Sequence, residues 1–354
     1  MGNSWTSKHK QALIGAMSKA WKMEYRSPVD ALGTVPPYPH FNPPEDAEKL
    51  RNHLFSPKDG KVDASSVFYL VTHRSNAQRQ DIRKAYRDKY KEDVVDNMIE
   101  YMKDHKDIIK ALMYVPAQYD ALELKRAMSG LGTKIPIIIE ILCTRTNKQL
   151  SDIKMEYRHM FGKDLEEQIK DETSGDFEDF LVLLCQAERD ETSEVNEQLA
   201  ERDAKALYEA GEKSFFNDED TFNAILCKQN FCQLQLVFKA YYKLTGNEIE
   251  AAVDDEFSGK LEDGFLALVK VVKNRPCYFA ELIYEATQKL LGMDTRALLR
   301  IIVSRSEVDL VQIRQEFMQK FGTSLEIFLK GLRNGKYEVL MDVLLSLGKT
   351  EHSH

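Results

Sequence analysis

The chain has 354 residues, with 49 Lys and Arg against 57 Asp and Glu, for a formal net charge of −8. That length exceeds a typical domain of ~100–200 residues, so two large domains or several smaller units sharing a core are expected. With 43% hydrophobic and 30% charged residues, global disorder is excluded, and the acidic balance argues against a general nucleic-acid binder, which needs clustered Lys and Arg.

An acidic protein that meets an anionic surface needs an adaptor, and a divalent cation is the simplest one. No apolar run approaches the ~18–20 residues of a membrane-spanning helix, so any membrane contact is expected to be peripheral. The five cysteines are odd in number, sparse and without C-x-x-C spacing. Neither a disulfide framework nor a zinc site follows from them, and a reducing, cytoplasmic setting does.

At the N-terminus, Met1-Gly2-Asn3-Ser4-Trp5-Thr6 fits the pattern for myristoylation at Gly2 and lacks the apolar core of a secretory signal. Lys8, Lys10, Lys19, Lys22 and Arg26 outnumber Glu24 and Asp30, and basic charge of this kind reinforces the marginal binding of one acyl chain, of order 10⁴ M⁻¹. Between Gln11 and Tyr25 the spacing sets Ile14, Met17, Trp21 and Tyr25 on one helical face, suited to a membrane or to the protein's own core. Pro36-Pro37-Tyr38-Pro39 and Pro43-Pro44 favour extended chain and set off an N-terminal arm, residues 1–44.

Beyond the arm lies an internal repeat. Arg74-Ser75-Asn76-Ala77-Gln78 with Ile82 and Tyr86 recurs 71 residues later as Arg145-Thr146-Asn147-Lys148-Gln149 with Ile153 and Tyr157. Third and fourth copies are Gln229-Asn230-Phe231-Cys232-Gln233 and Arg305-Ser306-Glu307-Val308-Asp309, at further shifts of 84 and 76. Leu165, Ile249 and Leu325 keep those last two offsets, as do Gly175, Gly259 and Gly335, and several landmarks sharing one set of offsets define a repeat. The units are 45–115, 116–189, 199–275 and 276–347, with a polar linker at 190–198 and a tail at 348–354. Helical spacing in Leu122, Leu124, Ala127 and Met128, then Ile135, Ile138, Ile139 and Leu142, predicts a helical hairpin around a glycine turn. Each unit reads as about five short helices and the whole as all-α; the recurring Arg, Tyr and Ile are assigned mainly to packing.

In the second unit, Met128-Ser129-Gly130-Leu131-Gly132-Thr133 forms the turn, and Glu172 lies 39 positions after Thr133. Glycines at alternate positions tolerate φ > 0 and let a tight turn aim successive carbonyl oxygens inward. A hard cation such as Ca²⁺ takes ~6–8 oxygens, which carbonyls plus one carboxylate supply in part, leaving the rest to water or lipid phosphate. In the third unit, Gly211-Glu212-Lys213-Ser214-Phe215-Phe216-Asn217 is less regular, with Glu256 again 39 positions after Asn217. The fourth has Leu290-Leu291-Gly292-Met293 and puts Leu332 at the acidic position. The first has a longer turn whose distant partner falls at Glu100 or Tyr101; Asp59, Gly60 and Asp63 read as a solvated acidic loop or else as oxygen donors of another geometry, and the twelve-residue series of an EF-hand is missing.

These features resemble the annexins, whose signature is a G-x-G-T turn followed 38 residues later by an acidic residue, in four repeats of roughly 70 residues. The resemblance covers residues 45 to about 347. It implies a curved, four-repeat helical disc that docks on acidic phospholipid through calcium turns. By that match the calcium ligands are the carbonyls of Met128, Gly130 and Gly132 with the Glu172 carboxylate and, in the less regular third repeat, the carbonyls of Gly211, Ser214 and Phe216 with Glu256. Leu131, Phe215 and Phe216 are expected at loop tips, where the two phenylalanines either enter the lipid interface or pack on their own repeat.

The expected function is calcium-dependent binding to acidic phospholipid membranes, with self-association or a protein partner as further contacts. An enzyme is not expected. No nucleophile elbow, phosphate-cradling glycine loop, zinc helix or dinucleotide fingerprint occurs, and His53, His73, His105 and His159 have no identifiable catalytic partner. The alternative is a calcium-poor helical scaffold that binds protein or cytoskeleton.

Overall fold

The computed structural model describes residues 31–55, 62–130, 132–211, 219–289 and 292–348. Gly2 and the helix expected at Gln11–Tyr25 lie outside them, as do Asp59, Gly60, Leu131, Ser214, Phe215, Phe216, Leu290 and Leu291. Residues 32–354 cluster as one compact unit, which holds all four repeats.

Among the described residues there are helices and no strand. Repeat 1 consists of α1 (Pro43–Phe55), α2 (Ala64–Thr72), α3 (Asn76–Tyr90), α4 (Val94–Tyr101) and α5 (Lys106–Met113). Repeat 2 consists of α6 (Pro116–Ala127), α7 (Ile135–Thr144), α8 (Asn147–Phe161), α9 (Leu165–Glu172) and α10 (Asp176–Gln186). Repeat 3 has α11 (Glu197–Ala210), α12 (Glu219–Lys228), α13 (Phe231–Thr245), α14 (Ile249–Glu256) and the first part of α15 (Gly259–Thr287). The remainder of α15 opens repeat 4, followed by α16 (Thr295–Arg305), α17 (Leu310–Phe321), α18 (Leu325–Leu332) and α19 (Glu338–Gly348).

The recurring pentapeptide is a corner between the second and third helices. Ser75 and Thr146 cap α3 and α8 in reciprocal capping boxes with Gln78 and Gln149, satisfying helix N–H groups that have no intrahelical acceptor. The landmark arginines tie the corner to the first helix of the repeat: Arg74 binds Asp46 at 2.7 and 3.3 Å, and Arg145 binds Asp120 at 2.7 and 2.8 Å. Ile82, Ile153, Val237 and Ile313 are buried, as are Tyr86, Tyr157, Tyr241 and Phe317. Their helical spacing marks the core side of each third helix.

Repeats pair. Apolar residues of repeats 2 and 3 make one core, and those of repeats 1 and 4 make another. In each pair the last helix of one repeat packs on the second helix of the other: α10 on α12 and α15 on α7, α5 on α16 and α19 on α2. Leu282 packs against both cores, and ion pairs also cross between them. Arg300 of α16 reaches Glu140 of α7 at 2.6 Å and Glu123 of α6 at 3.6 Å, while Asp107 accepts from both Arg126 and Arg296 at 2.8 and 3.2 Å. Arg300, Glu123 and Glu140 are buried, and charges at that depth persist because each has a partner.

One expectation is corrected. Pro43 and Pro44 do not extend the arm; they open α1, where a missing N–H costs nothing. The linker at 190–198 is extended through Asn196, whose side chain caps α11 by accepting from Leu199 N–H, and its last two residues are helical. At the boundary expected near Pro276 two helices meet at a kink: Asn274 has φ −161° and ψ 88°, and its side chain accepts the Cys277 N–H next to a proline that cannot continue the ladder.

Residues 32–38 are not a free arm. The N–H groups of Thr34 and Val35 donate to the Ser306 carbonyl at 2.6 and 3.1 Å, and the Thr34 hydroxyl donates to the Leu347 carbonyl at 2.5 Å. A side chain at Gly33 would put its Cβ 2.6 Å from the Glu307 backbone. On the repeat 1 side, Tyr38 exchanges two hydrogen bonds with the Gln78 amide, both 2.9 Å. Asn196 exchanges the same pair with Gln233, at 2.7 and 3.0 Å. This strap therefore does before repeat 1 what the linker does before repeat 3.

Candidate metal centre

In repeat 2 the α6–α7 connection is held at both ends. The Met128 N–H still donates to Leu124, the Lys134 N–H closes the loop on the Ala127 carbonyl at 2.8 Å, and the Ser129 hydroxyl donates to the Lys125 carbonyl at 2.6 Å. Between these ties Gly130 and Gly132 adopt φ 111° and 88°, a region nearly closed to residues with a Cβ. No hydrogen bond from a described residue reaches the carbonyls of Met128, Gly130 or Gly132.

Glu172 is brought to this turn by α9. Asp164 caps the helix through the Glu166 N–H at 2.9 Å, and the buried Leu165 and Ile169 fix its rotation, so its last residue faces the α6–α7 connection. One carboxylate oxygen of Glu172 accepts from the Thr133 hydroxyl at 3.0 Å, and the other lies 3.5 Å from the Gln168 amide. Burial and the Glu172 charge push the Tyr157 phenol up to about 12. Glycine turn and carboxylate, 39 residues apart in sequence, are thus adjacent in space. Sequence reasoning missed the hydroxyl of Thr133 as the group that orients Glu172; the i, i+39 spacing was its signal.

In repeat 3, Gly211 ends α11 with its N–H on the Leu207 carbonyl at 3.1 Å. A Cβ there would fall 3.2 Å from Cγ of Glu256, so the acidic side chain lies against the start of the turn. Glu256 also lines a cleft of about 400 Å³, shared with Ser174 and Gly175 of repeat 2 and with Glu219, Ser258 and Lys260 of repeat 3.

Repeats 1 and 4 differ in their side chains. By the repeat offsets Val62 and Tyr101 occupy the places of Thr133 and Glu172; Val62 packs on the core and Tyr101 meets Phe55 edge to face at 4.8 Å. Asp63 serves α2 as its N-cap, accepting from Ser66 N–H at 3.0 Å. In repeat 4, Gly292 keeps φ 106°, yet Met293 and Leu332 pack against apolar core. Among the described residues no cluster of three or more His, Cys, Asp or Glu side chains is arranged to hold a metal. Among the described residues, the repeat 2 turn sets backbone carbonyls beside a carboxylate, and in repeat 3 Glu256 lies against the start of the turn.

The fold defines a four-repeat helical protein in which the turns of repeats 2 and 3 lie beside acidic side chains. The sequence model of the Annexin family matches residues 46–112, 119–184, 202–268 and 278–344, and the chain belongs to that family. It is 40% identical to annexin A3 of Homo sapiens over 314 residues, 88% of this chain and 96% of that protein. Against annexin A7 of Homo sapiens it is 40% identical over 310 residues, 87% of this chain, and spans 63% of that longer protein. Among solved structures, annexin III superposes with a TM-score of 0.86 at 39% identity, covering 90% of this chain and 98% of the other. Calcium-bound annexin (Sm)1 gives 0.79 at 28% identity, covering 89% and 93%. Annexins are in general calcium-dependent phospholipid binders. No described helix of this chain is long and apolar enough to cross a membrane.

Proposed function

We propose that the protein binds acidic phospholipid membranes in a calcium-dependent way through the turns of repeats 2 and 3. The observation that carries this reading is the Thr133–Glu172 hydrogen bond, which holds a carboxylate beside a turn whose carbonyls have no described donor. Ca²⁺ would be held by the Met128, Gly130 and Gly132 carbonyls with Glu172, and in repeat 3 by Gly211, Ser214, Phe216 and Glu256. Bound there, the ion supplies positive charge that a lipid phosphate can share. The protein's part is to hold the oxygens in place before the ion arrives. In this reading Leu131, Phe215 and Phe216 touch the lipid interface, a reversible, peripheral contact on the cytoplasmic side, and the chain is a binding protein without catalysis.

Co-sedimentation with phosphatidylserine-containing vesicles, with and without calcium, tests it. Calcium-dependent pelleting on acidic but not neutral vesicles is expected. Pelleting indifferent to calcium would instead favour the calcium-poor scaffold.

A further inference from the structure

The helix that ends at Glu172 in repeat 2 has counterparts ending at Tyr101, Glu256 and Leu332. Apolar side chains such as Leu165 and Ile169, or Leu325 and Leu329, face the core and thereby decide which three positions face away from it. Those positions hold Asp96, Ile99 and Glu100 in repeat 1, where Ile99 turns back to pack on the core, Glu167, Lys170 and Asp171 in repeat 2, and Ala251, Asp254 and Asp255 in repeat 3. All three sets are net acidic. In repeat 4 they hold Ile327, Lys330 and Gly331, with no acid at all, and Ile327 is 66% exposed.

The chain beyond each helix continues the contrast. Repeat 2 has Thr173-Ser174-Gly175-Asp176 where repeat 4 has Arg333-Asn334-Gly335-Lys336. Arg333 is held by Asp342 and Glu338 of α19, each at 2.7 Å, and Glu326 is tied to Arg314. That leaves Lys330, exposed at the end of α18, and Lys336, whose ammonium sits 4.7 Å from the Tyr337 ring centroid; among the described residues neither is paired with a carboxylate.

Where repeat 2 presents a carboxylate that needs a cation to meet a phosphate, repeat 4 presents cations of its own, beside an exposed aliphatic side chain and a tyrosine. Long basic side chains flanking apolar groups suit the boundary between headgroups and acyl chains. We propose that the α18–α19 corner of repeat 4 is a calcium-independent contact for an anionic lipid surface, with Lys330 and Lys336 on headgroup phosphates and Ile327 at the acyl boundary. This rests on the reading that the equivalent corners of repeats 2 and 3 meet lipid. The lost calcium site then remains a membrane contact by different chemistry.

The test uses the full chain and vesicles of phosphatidylcholine with or without phosphatidylserine, in calcium and in chelator, at low and high salt. Each lysine near an anionic surface contributes about a fivefold change in affinity. Lys330→Gln with Lys336→Gln is therefore expected to weaken binding to the acidic vesicles by about tenfold or more at low salt, with the loss shrinking as salt screens the charges. Lys330→Arg with Lys336→Arg should restore it. Unchanged binding to acidic vesicles, an equal loss on neutral ones, no rescue by arginine, or a loss seen only with a soluble sulfated polysaccharide would each overturn the proposal. Glu172→Gln with Glu256→Gln, measured separately, reports on the calcium turns: failure of that pair to raise the calcium requirement sinks the calcium reading and leaves the lysine result to be read alone.

Discussion

Repeats 2 and 4 each place a positive-φ glycine between their first two helices, and they differ in what surrounds it. Gly132 and Gly292 sit at equivalent positions with φ 88° and 106°, and the N–H groups of Lys134 and Asp294 close their loops on Ala127 and Ala286 at 2.8 and 2.7 Å. What changes is the pair that faces the turn, a hydrogen-bonded Thr133 and Glu172 in one and core-packed Met293 and Leu332 in the other. A glycine turn is thus kept because the hairpin needs it, and it does not by itself mark a metal site. The distant residue decides, since a leucine there has no oxygen to offer a hard cation.

The two repeats are also tied to each other, and the largest effect is expected where that tie is broken. Arg300→Ala leaves the buried Glu140 without its arginine and removes the more distant of two arginines from the buried Glu123, which should cost about 3–5 kcal/mol. Thermal or denaturant unfolding measures it. A loss no larger than that of a surface substitution would mean the two cores are stable without the ionic seam.

Next comes the comparison of the turns themselves. Two sites on one membrane raise each other's effective concentration, so Glu172→Gln with Glu256→Gln should raise the calcium midpoint for vesicle binding by about a hundredfold, with a smaller shift for each single change. Leu332→Gln, at the equivalent place in repeat 4, should leave the midpoint where it is. Equal shifts from Leu332 and Glu172 would erase the distinction between the repeats.

Gly33→Ala forces a Cβ to within 2.6 Å of the Glu307 backbone and should loosen the strap at a cost of about 1–3 kcal/mol. Faster amide exchange at Thr34 and Val35, with repeat 2 unaffected, is the expected signature. Unchanged exchange there would show that the strap contributes no hold on repeat 4. The smallest effect is expected from Thr133→Val, which removes one hydrogen bond to a carboxylate. It should weaken calcium affinity by a few fold, corresponding to about 0.5–1.5 kcal/mol, with helix content unchanged by circular dichroism.

Much of this was legible in one dimension. Repeat number, helical class and the i, i+39 spacing of Thr133 and Glu172 are read from the sequence, because a repeat imposes the same local geometry on each copy and leaves its period in the residues; that the Thr133 hydroxyl holds the Glu172 carboxylate appears only in the fold. The loss at Leu332 is equally plain, since no fold can give a leucine an oxygen. Pairing is another matter. That repeats 2 and 3 share one core and repeats 1 and 4 the other depends on which helices meet after the chain has turned back on itself, and the apolar pattern of α10 is satisfied by any partner of the right shape. The strap shows the same limit: Pro36-Pro37-Tyr38-Pro39 announces extended chain, but only the approach of the Ser306 carbonyl from a residue 272 positions away turns that segment into a brace. Local propensity acts through neighbours a few residues apart, whereas these contacts exist only once distant parts of the chain have been packed together.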